Sequence, residues 1–219
     1  MSTNSNSKNN VQTIVRTLEV DIVLGRLYPR ERLIEEPLAA RFKTSRHVVR
    51  QALLELELAG LVQKAANKGV MVSEYSPEEV NQLYQMREIV ERQAARMIPL
   101  PIPKTDWQRL RAICKTHSAA VGKSDMIKVV AANKEFHQVL YRLCNNLFLA
   151  DVIDEMAKKA NLVRFASATD PLLLEQASDE HYQILEALKG EDSRALARLC
   201  VDHLQPSRLM YLEKRAHLS

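Results

Sequence analysis

SRHVVRQALLELELAG, residues 45–60, decides how the rest of this chain is read. It reads as one helix with two unlike ends. Arg46, His47 and Arg50 occupy its start, and Leu53, Leu54, Leu56 and Leu58 crowd its second half, with Leu61 just beyond. That spacing gives an apolar body for a core to hold and a basic, polar nose that reaches outward. A recognition helix is offered to the DNA major groove in this way. Ser45 is the expected N-cap and Gly60 the expected stop.

Working toward the N-terminus, residues 11–24 place Val11, Ile14, Val15, Leu18, Ile22 and Val23 at helical spacing. Gly25 ends that helix and Pro29 marks the turn after it. A short helix is expected from about 35 to 42, with Pro37 in its first turn, where a missing N–H costs little. Lys43 and Thr44 make the tight turn into the basic-nosed helix. Beyond Gly60, LVQKA and GVMVSE read as two short strands around Asn67-Lys68-Gly69. Three helices and a hairpin make a winged helix-turn-helix, assigned to residues 11–75. Residues 1–10, MSTNSNSKNN, are polar and read as a disordered lead-in, not a signal peptide.

From Ser76 onward no strand pattern appears. Ser76-Pro77-Glu78-Glu79 is a helix start with a capping box and proline at the first helical position. Six helices are expected, at about 77–98, 104–122, 125–144, 147–166, 172–189 and 192–216. The fold class is therefore mainly α: an N-terminal winged helix-turn-helix and a C-terminal all-α six-helix bundle over residues 76–219. Composition agrees. Of 219 residues 46% are hydrophobic, enough for a sizeable core, and only five are glycine. Cys114, Cys144 and Cys200 form no C-x-x-C pair and lie in apolar helical patterns, so a reducing cytoplasm without disulfides is expected. No apolar run is long enough to span a membrane.

The net charge of +4 permits nucleic-acid binding without arguing for it, so the local distribution has to carry that case. Between residues 39 and 54 the basic residues are Arg41, Lys43, Arg46 and Arg50, with no acid among them. Arg46 and Arg50 share one helix face, and a guanidinium fork suits both guanine and phosphate. Lys68 at the hairpin tip can reach an adjacent backbone or minor groove. The plain alternative is a solvated helix face. The ordered set of helix, tight turn, basic-nosed helix and basic hairpin weighs against it.

GRLYPRERLIEEPLAARFKTSRHVVRQALLELELAGLV, followed by NKGVMV, resembles the N-terminal domain of GntR-type bacterial transcription regulators. The resemblance implies double-stranded DNA as a partner. It implies that Arg32 approaches phosphate, that Ser45, Arg46, His47 and Arg50 lie at the operator, and that Lys68 and Gly69 enter the minor groove. Three positions depart from the family. Pro29-Arg30 stands where Pro-Gly is usual, Lys43 where glycine is common, and Val48 where proline is common. The His47-Val48 pair is where an altered base preference is expected.

Three histidines of the second half are placed oddly. His137 sits at the edge of an apolar face, one turn after Asn133. His181 precedes Ile184 and Leu185, and His203 follows Leu199 and Cys200, each on an apolar face. A core-facing histidine is usually a structural residue with one hydrogen bond. Three from three helices each need a partner, and one divalent ion satisfies all of them. His117 lies on an apolar stripe as well, so spacing alone does not choose. LYQMREIVERQAARM, NKEFHQVLYRLCNN, SDEHYQILEALKGED and ARLCVDHL resemble the ligand-binding (FCD-type) domain of the FadR subfamily, and six helices point to its VanR-like branch. That resemblance implies a metal held at Asn133, His137, His181 and His203, with asparagine where the family usually has aspartate. Three imidazoles suit Zn²⁺ or Ni²⁺. Arg87 falls on the apolar face of the helix that starts at Pro77. It reads either as half of an internal ion pair with a nearby glutamate or as a clamp for an effector carboxylate that also ligates the metal.

The expected protein is a homodimeric, cytoplasmic transcription regulator, a repressor. It reads a palindromic operator and responds to a small organic acid that reorients its DNA-binding domains. The alternatives are a direct metal sensor, a sequence-independent nucleic-acid binder, and a metal-dependent hydrolase. The last lacks a convincing general base and leaves the winged domain unexplained.

Overall fold

The computed structural model describes the backbone of residues 3–65, 69–167 and 170–216, and the side chains of 10–65, 69–165 and 170–216. Two units are distinguished: Met1–Tyr75 with Lys158–Phe165, and Ser76–Ala157 with Ala166–Ser219.

In the first unit, α1 (Thr3–Val23) and α2 (Glu35–Arg41) pack on α3 (Arg46–Leu58). All six apolar positions read from residues 11–24 are buried. The helix also runs back to Thr3, so the polar lead-in is helical rather than disordered over its described part. No proline or glycine interrupts residues 3–10, and a helix anchored by a buried stripe propagates cheaply. α3 buries Val48, Val49, Ala52, Leu53 and Leu56. Leu54 and Leu58, read as part of the apolar body, are exposed. At 100° per residue they fall on the side opposite Ala52 and Leu56.

Both glycine stops close Schellman motifs. Gly25 and Gly60 have φ of +65° and +73°. Leu61 N–H donates to Leu56 O and Gly60 N–H to Glu57 O, each at 3.0 Å. Gly60 is also needed for space: a Cβ there would lie 3.1 Å from Lys159 Cα. Lys158–Phe165 thus groups with this unit, where Asn161 Nδ2 donates to Ala59 O at 3.5 Å. The undivided assignment of 76–219 does not anticipate that segment.

A three-stranded antiparallel sheet completes the unit, in the order β1-β3-β2. β2 (Val62–Ala65) and β3 (Gly69–Val72) are the expected hairpin, with Val62 opposite Val72 and Ala65 opposite Gly69. β1 (Arg32–Leu33), which the sequence reading missed, pairs with β3. Lys68, at the hairpin tip, lies outside the described residues.

The second unit begins at α4 (Pro77–Met97). Ser76 accepts from Glu79 N–H at 3.2 Å and Glu79 accepts from Ser76 N–H at 2.8 Å, the expected capping box. Along the chain then come α5 (Lys104–Val121), α6 (Met126–Arg142), α7 (Leu147–Lys159), α8 (Asn161–Ser167), most of which belongs to the first unit, α9 (Pro171–Ala187), α10 (Ser193–Asp202) and α11 (Gln205–Ala216). Two of the six expected helical segments are therefore each divided, and helix count does not identify a branch of the subfamily. The last break falls at His203 and Leu204, where Pro206 cannot donate to a preceding turn. The other, at Ala160, lies within the segment that joins the first unit. α5 packs along α6 and α9, and α4 along α10 and α11. Phe136, Leu110, Leu140, Ile184, Leu185 and Leu196 form the centre of the core.

Candidate DNA-reading helix and metal centre

The α2–α3 turn is made by Lys43 at φ +49°. Its N–H donates to Ala40 O and that of Thr44 to Ala39 O, a third Schellman motif with a non-glycine residue in its left-handed position. Ser45 then caps α3 by accepting from Val48 N–H at 3.4 Å. Arg46, His47 and Arg50 are all exposed, whereas Val48 is buried. Of the His47-Val48 pair, only His47 is therefore presented outward.

Both arginines have carboxylate partners that lie just outside the acid-free window of the sequence. Arg50 donates to both oxygens of Glu35, at 2.9 and 2.8 Å, and Arg46 meets Glu36 at 2.8 Å. The Arg50 bonds hold the Glu35 carboxyl below its ordinary range, and the Arg50 guanidinium is raised in turn. Arg41 is committed elsewhere: it reaches the buried Asp21 at 2.5 Å and its guanidinium lies over the Phe42 ring. Arg32 is exposed in β1, and Gly69 opens β3 at φ +77°.

In the helical unit, α6, α9 and the C-cap of α10 bring His137, His181 and His203 together, with one ligand atom of each within 4.8 Å of the others. Glu180, which the sequence reading passed over, accepts from His203 Nδ1 at 2.6 Å. A carboxylate acceptor fixes the proton on Nδ1 and leaves the Nε2 lone pair free to bind. That Nε2 lies 3.3 Å from His137 Nε2. Two nitrogens bound at ~2.0–2.1 Å to one tetrahedral ion are roughly 3.3 Å apart. The donor set thus fits a divalent ion in atom type, His203 also in tautomer, and the His137–His203 pair also in spacing. Asn133, one turn before His137 on α6, is half-buried and supplies a neutral amide. His117, on α5, is buried against His181 with ring centroids 4.8 Å apart. Burial, with the His203 charge adding, pushes its pKa down to about 4, so it is neutral at physiological pH.

Arg87 is 2% exposed and Glu91 0%. Arg87 Nε donates to Glu91 Oε1 at 2.9 Å, and Tyr141 donates to Glu91 Oε2 at 2.7 Å. The ion-pair alternative of the sequence is thus realised, one helical turn along α4. Burial alone would push the Arg87 guanidinium down, but the Glu91 carboxylate and the Tyr84 and Tyr141 phenols more than offset it. One guanidinium nitrogen, Nη1, is buried without a hydrogen-bond partner among the described residues. Tyr141 also stacks on His137, with interplanar angle 16° and centroids 6.2 Å apart, so this network adjoins the histidine cluster.

Comparison with known proteins places both units. The family pattern described as "Bacterial regulatory proteins, gntR family" matches residues 10–72, and "FCD domain" matches residues 82–206. The chain belongs to the gntR family. Its FCD domain fits the FadR-like subfamily, and its function is that of a DNA-binding transcription regulator. It is 27% identical over 194 residues to the HTH-type transcriptional repressor RspR of Escherichia coli, covering 89% of this chain and 85% of that one. In fold it is similar to E. coli McbR/YncC, with TM-score 0.74, 21% identity, and 94% and 98% of the two chains covered. It is also similar to a putative GntR regulator from Rhodococcus sp. RHA1, with TM-score 0.71, 23% identity and the same coverage. No helix among the described residues is long and apolar enough to cross a membrane.

As a gntR-family regulator the chain departs from the usual glycines at two positions, and both carry strain. Arg30 has φ +66° as the third residue of a turn in which Glu31 N–H donates to Tyr28 O. Proline followed by a left-handed residue is the type II pattern, which favours glycine. Lys43 is the second. Each puts a cation where the backbone prefers no side chain.

The three cysteines are free and buried. Burial, with the Glu91 charge adding, pushes the Cys200 thiol up to about 12, and burial pushes Cys114 up to about 11. Thiolate is the reactive form, so both should resist iodoacetamide in the folded protein at neutral pH and label fully once it is unfolded. Rapid native-state addition at either, read by mass spectrometry, would contradict this packing.

Proposed function

We propose that this regulator is a homodimeric, non-catalytic repressor whose affinity for a palindromic operator is set by a small organic acid bound beside a divalent metal, Zn²⁺ or Ni²⁺. The observation that carries the proposal is the convergence of His137, His181 and His203 from three helices, with Glu180 fixing the His203 tautomer. His137, His181 and His203 would hold the ion, with Asn133 one turn before His137 on α6 as a further donor, and the ion would supply a fixed positive charge in an otherwise buried site. Arg87 would clamp the effector carboxylate through Nη1, which is buried without a hydrogen-bond partner among the described residues. A buried cation with an unfilled donor recognises an anion strongly. The name of RspR supports repression as the direction of control. On the DNA side, Arg32, Ser45, Arg46, His47, Arg50, Lys68 and Gly69 would form the operator surface, with two copies reading two half-sites. The nearest carboxylate, that of Glu180, is engaged with His203 and so is not free to act as a general base.

The test combines metal content with DNA binding. Protein prepared without chelator should contain about one divalent ion per chain, and His181→Ala should lose it together with the stabilisation that bound metal gives. Elemental analysis showing no metal in the wild type would reject the centre. Operator affinity that changes with metal alone, and with none of a panel of organic acids, would make the protein a direct metal sensor instead.

A further inference from the structure

We infer that Lys158–Phe165 is a working part of the DNA-reading unit, and that Asn161 within it positions the recognition helix α3 by holding its C-terminal end. The FCD pattern covers residues 82–206, yet this segment groups with Met1–Tyr75. Its apolar residues Ala160, Leu162, Val163 and Phe165 are all buried, which marks a packed element and not a surface loop. Its approach to α3 is close. Gly25 and Gly60 stop their helices with the same left-handed backbone. A Cβ on Gly25 would meet nothing within 4 Å, whereas one on Gly60 would lie 3.1 Å from Lys159 Cα and 3.2 Å from Lys158 O. Stopping a helix therefore does not explain the crowding at Gly60. Backbone meets backbone there, at a separation that suits a residue without a side chain.

The end of α3 is also tied by hydrogen bonds. The last carbonyls of a helix need partners from beyond it. Those of Glu55, Leu56 and Glu57 accept from the N–H groups of Ala59, Leu61 and Gly60. That of Ala59 accepts from Asn161 Nδ2 at 3.5 Å. Arg164 donates to Asn161 Oδ1, which turns the amide so that its donor faces α3. Arg46, His47 and Arg50 stand at the start of the same helix, so a change at its end alters how they are presented. Both exits from the segment lead to histidine-bearing helices. α7 is one helix, with Leu147–Ala157 in the helical unit and Lys158–Lys159 in the first. It is tied to α6, the helix of His137, by Arg142 to Asp151 at 2.6 Å and by Gln138 to Asp154 at 3.4 Å. Past the segment the chain enters α9, the helix of His181. A shift of α6 or α9 thus has a covalent route to the end of α3.

The experiment uses full-length protein and two kinds of DNA at matched salt: a site selected by the wild type, and random sequence. Asn161→Asp keeps the size of the side chain and the acceptor for Arg164 and removes only the donor; Asn161→Ala is the second variant if the first does not fold. Each should weaken binding to the selected site by about fivefold, the share of one hydrogen bond, and leave binding to random DNA near wild type. Hydrogen exchange at the Gly60 and Leu61 amides should speed up, while that of α4 stays as it was. A residue that only stabilises the fold would lower both affinities together with the melting temperature. That result, or a wild-type ratio of selected to random affinity in both variants, would overturn the inference. Neither readout depends on an ion in the histidine centre, so the metal proposal stands or falls separately.

Discussion

Glu91→Ala is expected to destabilise the helical unit by about 3–5 kcal/mol, the cost of stranding one member of a buried ion pair. The Arg87 and Glu91 side chains are 3% and 1% exposed, and Glu91 Oε1 accepts from Arg87 Nε at 2.9 Å. Its other oxygen accepts from Tyr141 at 2.7 Å. Alanine removes both acceptors at once. It leaves a guanidinium that cannot shed its proton, over the Tyr84 ring, with no carboxylate to meet it. Replacing the pair together, as Arg87→Met with Glu91→Leu, should recover much of the loss, because apolar side chains of similar volume avoid the desolvation cost. The two effects should be strongly non-additive. Urea unfolding followed by far-ultraviolet circular dichroism reads the difference as a shift of midpoint at constant slope. A Glu91→Ala midpoint within about 1 kcal/mol of wild type would show that Arg87 has another anion.

The sequence exposed this fold best where one residue type has one physical use. Gly25 and Gly60 end helices because their left-handed backbone closes a Schellman motif, and both are legible as stops. Arg30 and Lys43 adopt the same backbone region without the residue that announces it. Pro206 divides the last helical segment at His203, a break hidden by continuous apolar periodicity on both sides. The histidine cluster was legible because three polar rings on three apolar faces lack any local explanation. Its supporting residues were not. Glu180 sits beside His181 in sequence but serves His203, 23 residues away. Glu35 lies 15 residues from Arg50, and Tyr141 lies 50 from Glu91. Such partners are set by how helices pack, which periodicity along one helix does not encode. Glu91 is the exception, at i+4 from Arg87, where a helix brings side chains together by itself.

Arg46→Ala and Arg50→Ala are each expected to weaken binding to a DNA site selected by the wild-type protein by about 10- to 100-fold, the range for a bidentate base contact. The carboxylates that hold them do not oppose this. Arg46 and Arg50 are 62% and 65% exposed, and ion pairs at such positions contribute little against a base or phosphate contact. Glu35 and Glu36 pair with the two guanidinium groups in the free protein and are expected to yield them to DNA. Glu35→Gln should accordingly tighten binding to random DNA several-fold, because it removes a negative charge beside incoming phosphates and frees Arg50. The arginine variants should lower the ratio of selected to random affinity at matched salt. Lys43→Ala should instead weaken both kinds of DNA alike and reduce the salt slope by about one, as loss of a phosphate contact does. Fluorescence anisotropy across a salt series separates these patterns. Unchanged affinity for the selected site in both arginine variants would remove the α3 nose from the operator, and a uniform loss in all three would mean that it grips the backbone without reading sequence.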